Sequence, residues 1–372
     1  LPASVTTIES AAFAEATALE SLTVPFIGGS ASENCYMLYI FGGSIFESEE
    51  DGKKTYKVSN SGAAPSSLKK LTVTGALASV PDFAFAYLDS VSELNLTGSI
   101  TSIGMYGFYG TGLTEVVIPA TVGKVGEYAY AKMADLESVT VSGSVGDGLG
   151  AAVFFGNQSL KTIRFEEGVT VIPELACYPY SSTDRTGKTV YSSAIEEIYL
   201  PSTLVKIGDM AFAFAGTYSS GADNTRFDED FKLVMASGDS LTEIGDKAFY
   251  MSAITELKLS SALKSVGELC FANCGKLSGV TFGSAEKGSA LESLGGACFA
   301  GCVSLNELRI YKNVTSEADV PTLGQYKPSA DEVSQTIFEG TEGPSIYVIG
   351  STFYRKTAGW DIFDKRIYEM SK

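Results

Sequence analysis

Four of the six cysteines stand in two C-x-x-x-C pairs, Cys270/Cys274 and Cys298/Cys302, offset by 28 residues. Four converging thiolates would suit tetrahedral zinc, and two facing thiols would suit a disulfide. Each pair, however, straddles an equivalent aromatic, Phe271 in one and Phe299 in the other. A stacked ladder of small buried residues explains that equivalence best, since cysteine packs as a small hydrophobe. The disulfide, on neighbouring chain segments about 4.8 Å apart, and the zinc site stand as alternatives for Cys270/Cys298 and Cys274/Cys302.

Other chemistry is thinly supplied. Histidine is absent, which removes Ser-His-Asp and Cys-His nucleophile pairs and imidazole-bound metals together. Paired-carboxylate hydrolysis survives on composition alone, with nothing placing two carboxylates across a cleft. The loop acids Glu47, Glu49, Glu50 and Asp51, and Asp223, Asp228, Glu229 and Asp230, lack the spacing of a calcium loop and read as solvated charge. Gly187-Lys188-Thr189 ends like a phosphate loop, but Ser182 stands where its first glycine is required. Gly146-Asp-Gly148-Leu-Gly150 lacks the third glycine of a dinucleotide fingerprint. Asn95, Asn157 and Asn313 open N-x-[ST] sequons, which matter only in a glycosylating host. No cofactor or metal is expected, and no catalytic residue stands out.

The residues that position everything else form a repeat. An aliphatic, often Gly, two variable residues, a small residue and an aromatic recur. Clear copies are Ile103-Gly-Met-Tyr-Gly-Phe108, Ile207-Gly-Asp-Met-Ala-Phe212 and Ile244-Gly-Asp-Lys-Ala-Phe249. Five or six residues after each aromatic comes L-x-x-L-x-L, as in Leu113/Val116/Ile118 and Ile254/Leu257/Leu259. Phe85, Phe108 and Tyr130 follow one another at 23 and 22 residues. The last two apolar positions of the second block alternate with polar ones, the pattern of a strand with one buried face. One such unit cannot bury its own apolar face, so units must stack, with their strands in parallel, around a continuous core. The aromatic then plugs that core from the far side on a short helical or 3₁₀ turn. Gly after the aliphatic is expected to serve through its conformational freedom at a tight corner, and Pro119 and Pro201 to end strands.

A period of 22 to 23 residues falls in the leucine-rich-repeat range of roughly 20–29. The I-G-x-x-A-F-x-x-C-x-x-L-x-x-I-x-L stretches, clearest over Val266–Phe282 and Leu294–Ile310, resemble the BspA-like leucine-rich-repeat family of bacterial surface proteins. The C-terminal segment, with Ile346-Tyr-Val and Tyr354-Arg-Lys-Thr-Ala-Gly-Trp360, is similar to that family's terminal cap. The expected fold is an α/β-type leucine-rich-repeat solenoid. It is right-handed, with a parallel β-sheet on the concave face, short helical or 3₁₀ turns on the other side, and little regular helix. A single array of about 11–12 repeats is expected over residues 1–345, with a cap over 346–372. Insertions fall near 25–66, 178–193, 216–230, 283–290 and 311–332. The pattern begins in mid-repeat at Leu1, which suggests that further repeats precede it.

The polar residues flanking the middle apolar position should point out of the sheet. Glu93, Asn95, Glu115, Thr162, Arg164 and Glu197 lie along this column, followed by Tyr199, Glu256, Lys258, Glu307 and Arg309. The column is mixed in charge and holds one aromatic, so it does not declare itself a hot spot. A net charge of −17 repels phosphate backbones and disfavours nucleic acid or an anionic membrane. The apolar runs are too short to span a bilayer. The resemblance implies a secreted or cell-surface, non-catalytic adhesion module that binds a host or matrix protein or glycan. A structural spacer displaying another domain is the alternative, and a surface hydrolase the third reading.

Overall fold

The L-x-x-L-x-L stretches are strands, and their alternation decides which side is buried. In Glu115–Ile118 and Glu256–Leu259 the side chains run exposed, buried, exposed, buried, as one-sided burial of a pleated strand requires. The computed structural model describes residues 1–50, 53–183, 187, 189–218, 226–227, 231–328 and 336–371. The chain divides into two units, residues 1–160 and 161–372, and both are leucine-rich-repeat coils stacked in parallel.

In the first unit Ser21–Val24, Lys70–Ala76 and Glu93–Thr97 form one parallel sheet, and Glu115–Ile118 pairs with Ser138–Val141 in another. In the second, Thr162–Phe165, Glu197–Leu200 and Lys232–Met235 pair in order. Glu256–Leu259, Gly279–Phe282, Glu307–Asn313, Ser345–Ile349 and Ile367–Glu369 make a five-stranded sheet. Its register stacks like on like, so Leu257, Val280, Leu308, Ile346 and Ile367 form one buried row.

A second ladder runs along the aliphatic-Gly corners. Six two-residue strands, from Val171–Ile172 to Thr322–Leu323, pair in parallel in the second unit, and three from Ser79–Val80 to Lys124–Val125 in the first. The sequence marks these positions only as one aliphatic before a corner. They become strands because a stacked neighbour supplies the partner.

The corner glycines serve a different purpose from the one expected. Gly104, Gly126, Gly208, Gly245, Gly267 and Gly295 are absent from the left-handed residues. A Cβ on Gly267 would lie 2.5 Å from Asp246 N, and one on Gly295 would lie 2.3 Å from Gly267 C. Coil-to-coil contact excludes a side chain there.

The left-handed positions that recur with the repeat stand elsewhere, and they carry residues other than glycine. The residue two before the plug aromatic has positive φ in coil after coil, as at Phe83, Tyr106, Tyr128 and Ala152 in the first unit and Met210, Lys247, Leu269 and Ala297 in the second. Each costs about 1–2 kcal/mol. The alternation of hand turns successive N–H groups toward the next coil. Lys247, Phe249 and Met251 donate to Glu268, Cys270 and Ala272 carbonyls at 2.9 Å each. The buried backbone polar groups of the turn face are satisfied between coils rather than within a helix.

Inside, the plugs stack at the coil repeat. Phe212, Phe249, Phe271, Phe299 and Phe338 follow one another at centroid separations of 5.5 to 6.0 Å. At the C-terminal end Trp360 and Tyr354 are fully buried, and the indole N–H donates to Pro321 O at 2.7 Å. Phe363 meets Phe338 edge-on at 5.1 Å, covering the last plug.

The runs outside the repeat have their own structure. Within 25–66, Ser44–Glu50 and Lys53–Ser59 form a hairpin. Tyr180–Thr183 and Thr189–Ser192 form another, and Thr217–Tyr218 and Arg226–Phe227 extend it to a four-stranded antiparallel sheet. Within 283–290, Gly288 N–H closes a turn on Ser284 O at 2.7 Å. The segment 311–332, expected as an insertion, holds part of a coil, because Thr322–Leu323 pairs in register with Ser293–Leu294. Its period was hidden by the long stretch before Phe338.

Candidate binding surfaces

The predicted outward column does line the sheets. Glu93, Asn95 and Glu115 are exposed in the first unit. In the second unit, Arg164, Glu256 and Lys258 are exposed, while Thr162, Glu197, Tyr199, Glu307 and Arg309 are half-buried. Most of these charges are satisfied on the face itself. Glu93 accepts from Lys70 and from Asn95. Glu197 accepts from Lys232 at 3.0 Å and from the Tyr199 hydroxyl at 2.8 Å. Arg309 grips Glu307 through two guanidinium nitrogens, and Lys258 lies 3.6 Å from Glu256.

These contacts shape the titration. The Lys70 ammonium holds Glu93 below the ordinary carboxylate range, with Asn95 second. Lys232 does the same for Glu197, with Tyr199 second, and Arg309 for Glu307. Hydrogen bonds to the charged form are the cause in each case.

Register adds residues that the repeat pattern did not reveal. Lys232 and Val234 lie beside Glu197 and Tyr199, on a strand read over because Phe231/Leu233/Met235 lacks the full L-x-x-L-x-L. Tyr347 and Tyr368 continue the Lys258, Thr281, Arg309 row. Their rings stack at 5.4 Å. Arg309 lies over Tyr347 at 5.0 Å, and Arg164 over Tyr199 at 3.7 Å.

The turn face is aromatic where the sheet face is charged. In the first unit Phe83, Tyr106 and Tyr128 stack face to face at 4.8 and 5.1 Å, near the coil spacing. Burial, followed by the neighbouring tyrosines, pushes the Tyr106 phenol up to about 12. In the second unit the turn face opens into a cavity of about 640 Å³, whose aromatic lining is Tyr178, Tyr191, Phe214, Tyr250 and Tyr326. The signal for this face was a register: aromatics recur two before the plug and directly after it, at positions that the repeat leaves variable.

The cysteines form neither a bridge nor a metal site. All six are free thiols, and among the described residues no group of three or more His, Cys, Asp or Glu is placed to hold a metal. Cys274 and Cys302 each donate a thiol proton to the plug carbonyl of the preceding coil, Phe249 O at 3.1 Å and Phe271 O at 3.0 Å. Glu47 pairs with Lys54 across its hairpin. Asp51, Lys188, Asp223, Asp228, Glu229 and Asp230 lie outside the described residues. Of the sequon asparagines, Asn157 is buried, and Asn95 and Asn313 are exposed. Among the described residues no helix is long and apolar enough to cross a membrane.

The sequence matches the BspA type leucine-rich repeat region in six copies, over residues 58–184 and 231–319, more than half of the chain. No curated protein matches it. Among solved structures it is similar to a leucine-rich cell surface protein from Faecalibacterium prausnitzii A2-165, at 20% identity and a TM-score of 0.40. That likeness covers 67% of this chain and 61% of the other, less than two thirds of that protein. A leucine-rich repeat protein from Bacteroides ovatus ATCC 8483 is 18% identical with a TM-score of 0.37, over 82% and 79% of the two chains. The pneumococcal vaccine antigen PcpA is 17% identical with a TM-score of 0.40, over 98% and 90%. With the repeat matched over most of its length and parallel strands at each copy, the chain belongs to the BspA type leucine-rich repeat family.

Proposed function

We propose that the chain is a non-catalytic recognition module, secreted or displayed at the cell surface, that binds an extracellular protein or glycan. The observation that carries this reading is the separation of surfaces. The sheet face is charged and self-neutralised, whereas the turn face of residues 161–372 holds an aromatic cavity bordered by the paired strands Tyr180–Thr183 and Thr189–Ser192. Cavities with an apolar lining and a few polar groups are the usual form of a ligand site. The polar sheet columns, Glu93 to Glu115 in the first unit and Thr162 to Arg309 in the second, are each a further contact surface, the latter with Tyr199, Tyr347 and Tyr368 as its anchors. The sheet face offers a hydrolase no general acid, which needs a raised pKa, because Glu93, Glu197 and Glu307 are all lowered.

The test is a screen of the purified chain on extracellular-matrix protein and glycan arrays at physiological salt. A saturable ligand that is weakened either by joint substitution of Glu197, Tyr199, Glu256 and Lys258 or by substitutions in the cavity supports the proposal. Silence on both arrays from a folded chain overturns it in favour of the spacer.

A further inference from the structure

The cavity on the turn face owes its depth to a change of side-chain size along the stack. The residue after the plug is Tyr250 in one coil, then Ala272 and Ala300 in the next two. The residue after that falls from Phe214 and Met251 to Asn273, Gly301 and Gly340. Bulk on the N-terminal coils gives way to a trench over the later ones. Gly301 is left-handed there (φ 70°), and a Cβ would sit 2.2 Å from Asn273 Oδ1 and displace that amide.

The walls are aromatic and the margins polar. Tyr191 stacks on Phe214 at 4.3 Å, and Phe214 meets Tyr250 edge-on at 5.7 Å. Tyr326 packs on an apolar floor of Leu269, Ala272 and Ala297. The Asn273 amide donates to the Tyr250 hydroxyl at 3.3 Å, which fixes a hydrogen-bonding pair beside an aromatic ring. Lys247 and Glu339 add one positive and one negative charge.

We infer that this groove is a binding site for a neutral oligosaccharide of pyranose units; the inference rests on the recognition reading above. A pyranose ring presents an apolar C–H face that fits a tyrosine ring, and a rim of hydroxyls that fits amide, carboxylate and phenol groups. The groove offers both, rings at Tyr191, Phe214, Tyr250 and Tyr326 and polar groups at Asn273, Lys247 and Glu339. A peptide binding by strand addition would instead need a free backbone edge, and here the edge is already used. Phe214 N–H is taken by Tyr250 O, Asn273 N–H by Ala300 O and Gly301 N–H by Glu339 O. A polyanionic glycan is disfavoured by the chain's net charge of −17 and by the balanced charges of the groove. The volume, about 640 Å³, lies within the roughly 300–1,000 Å³ of small-ligand sites.

The experiment titrates the intact chain, by calorimetry, with neutral gluco-, galacto-, manno- and N-acetylglucosamine oligosaccharides. Saturable binding of at least one is expected. Asn273→Gly keeps the left-handed backbone while deleting the amide, and Ala300→Leu fills the trench without touching the rings. Each should weaken binding roughly tenfold or more. Tyr250→Leu should act in the same sense, and Ile362→Ser, on the exposed surface of the closing segment, should have no effect. Absence of binding to every sugar overturns the inference, as does binding that Asn273→Gly and Ala300→Leu both leave unchanged. If the chain then still captures a matrix protein, recognition stands and only the glycan groove falls.

Discussion

Asn157 holds Met133 from one coil away: its side-chain oxygen accepts the Met133 N–H at 2.8 Å, while its amide donates to the Tyr130 carbonyl at 2.9 Å. Cys274 and Cys302 occupy the same register, three residues after a plug aromatic, and likewise donate to the plug carbonyl of the preceding coil. This position is a coil-to-coil clasp. Asn157→Ala leaves a buried N–H and a buried carbonyl without partners and should cost about 2–3 kcal/mol, read as a fall in the denaturation midpoint at unchanged slope. A loss below about 0.5 kcal/mol would show that the clasp does not bind the coils.

Glycine at the corner is a packing requirement, so alanine there should be damaging even though the backbone angles permit it. Gly267→Ala drives a methyl against Asp246 N and Gly245 C at 2.5 Å. Overpacking against rigid backbone predicts a loss of about 2–3 kcal/mol by chemical denaturation. Gly123→Ala meets nothing within 4 Å and should fall within about 0.5 kcal/mol of the parent.

The thiols should divide by burial. Burial pushes the Cys177, Cys270 and Cys298 thiols well above the ordinary range, and little thiolate forms near neutral pH. Cys35 is half-exposed, raised by burial and then by Glu33. With Ellman's reagent only Cys35 should react in the native chain, faster as the pH rises, and all six should react after unfolding. Rapid native reaction of Cys274 or Cys302 would refute the hydrogen-bonded ladder.

Alkaline pH should loosen the stacked tyrosines. The Tyr106 phenol ionises near 12 when folded, against 10.0 unfolded. Between these values the unfolded chain has lost a proton that the folded chain retains, so stability is full below pH 10 and declines as the pH climbs toward 12. Denaturation midpoints taken from pH 9 to 12 should fall with pH, and Tyr106→Phe should flatten that fall. An unchanged slope in the variant would assign the alkaline loss to other groups.

Much of this was legible in the residues. Leu257, Val280 and Leu308 named themselves as a buried row through the alternation within L-x-x-L-x-L, and Phe249, Phe271 and Phe299 as plugs through their period. These are local patterns whose one-sided burial has only one economical solution, stacking. The outward residues Glu197, Tyr199 and Arg309 followed from the same alternation, because the period of a strand is two.

What the stack alone decided is whatever depends on the neighbouring coil. Gly267 is glycine because Asp246 passes within touching distance. Met210 and Lys247 take the left-handed conformation because the next coil's carbonyls reward it. Ala272, Ala300 and Gly301 form a trench only beside Phe214 and Tyr250, two coils of larger residues. In sequence the partners on neighbouring coils lie more than 20 residues apart and obey no shared motif. A contact between coils is a relation between repeats, and a single repeat carries the pattern for its strand and its plug without carrying its neighbour's shape.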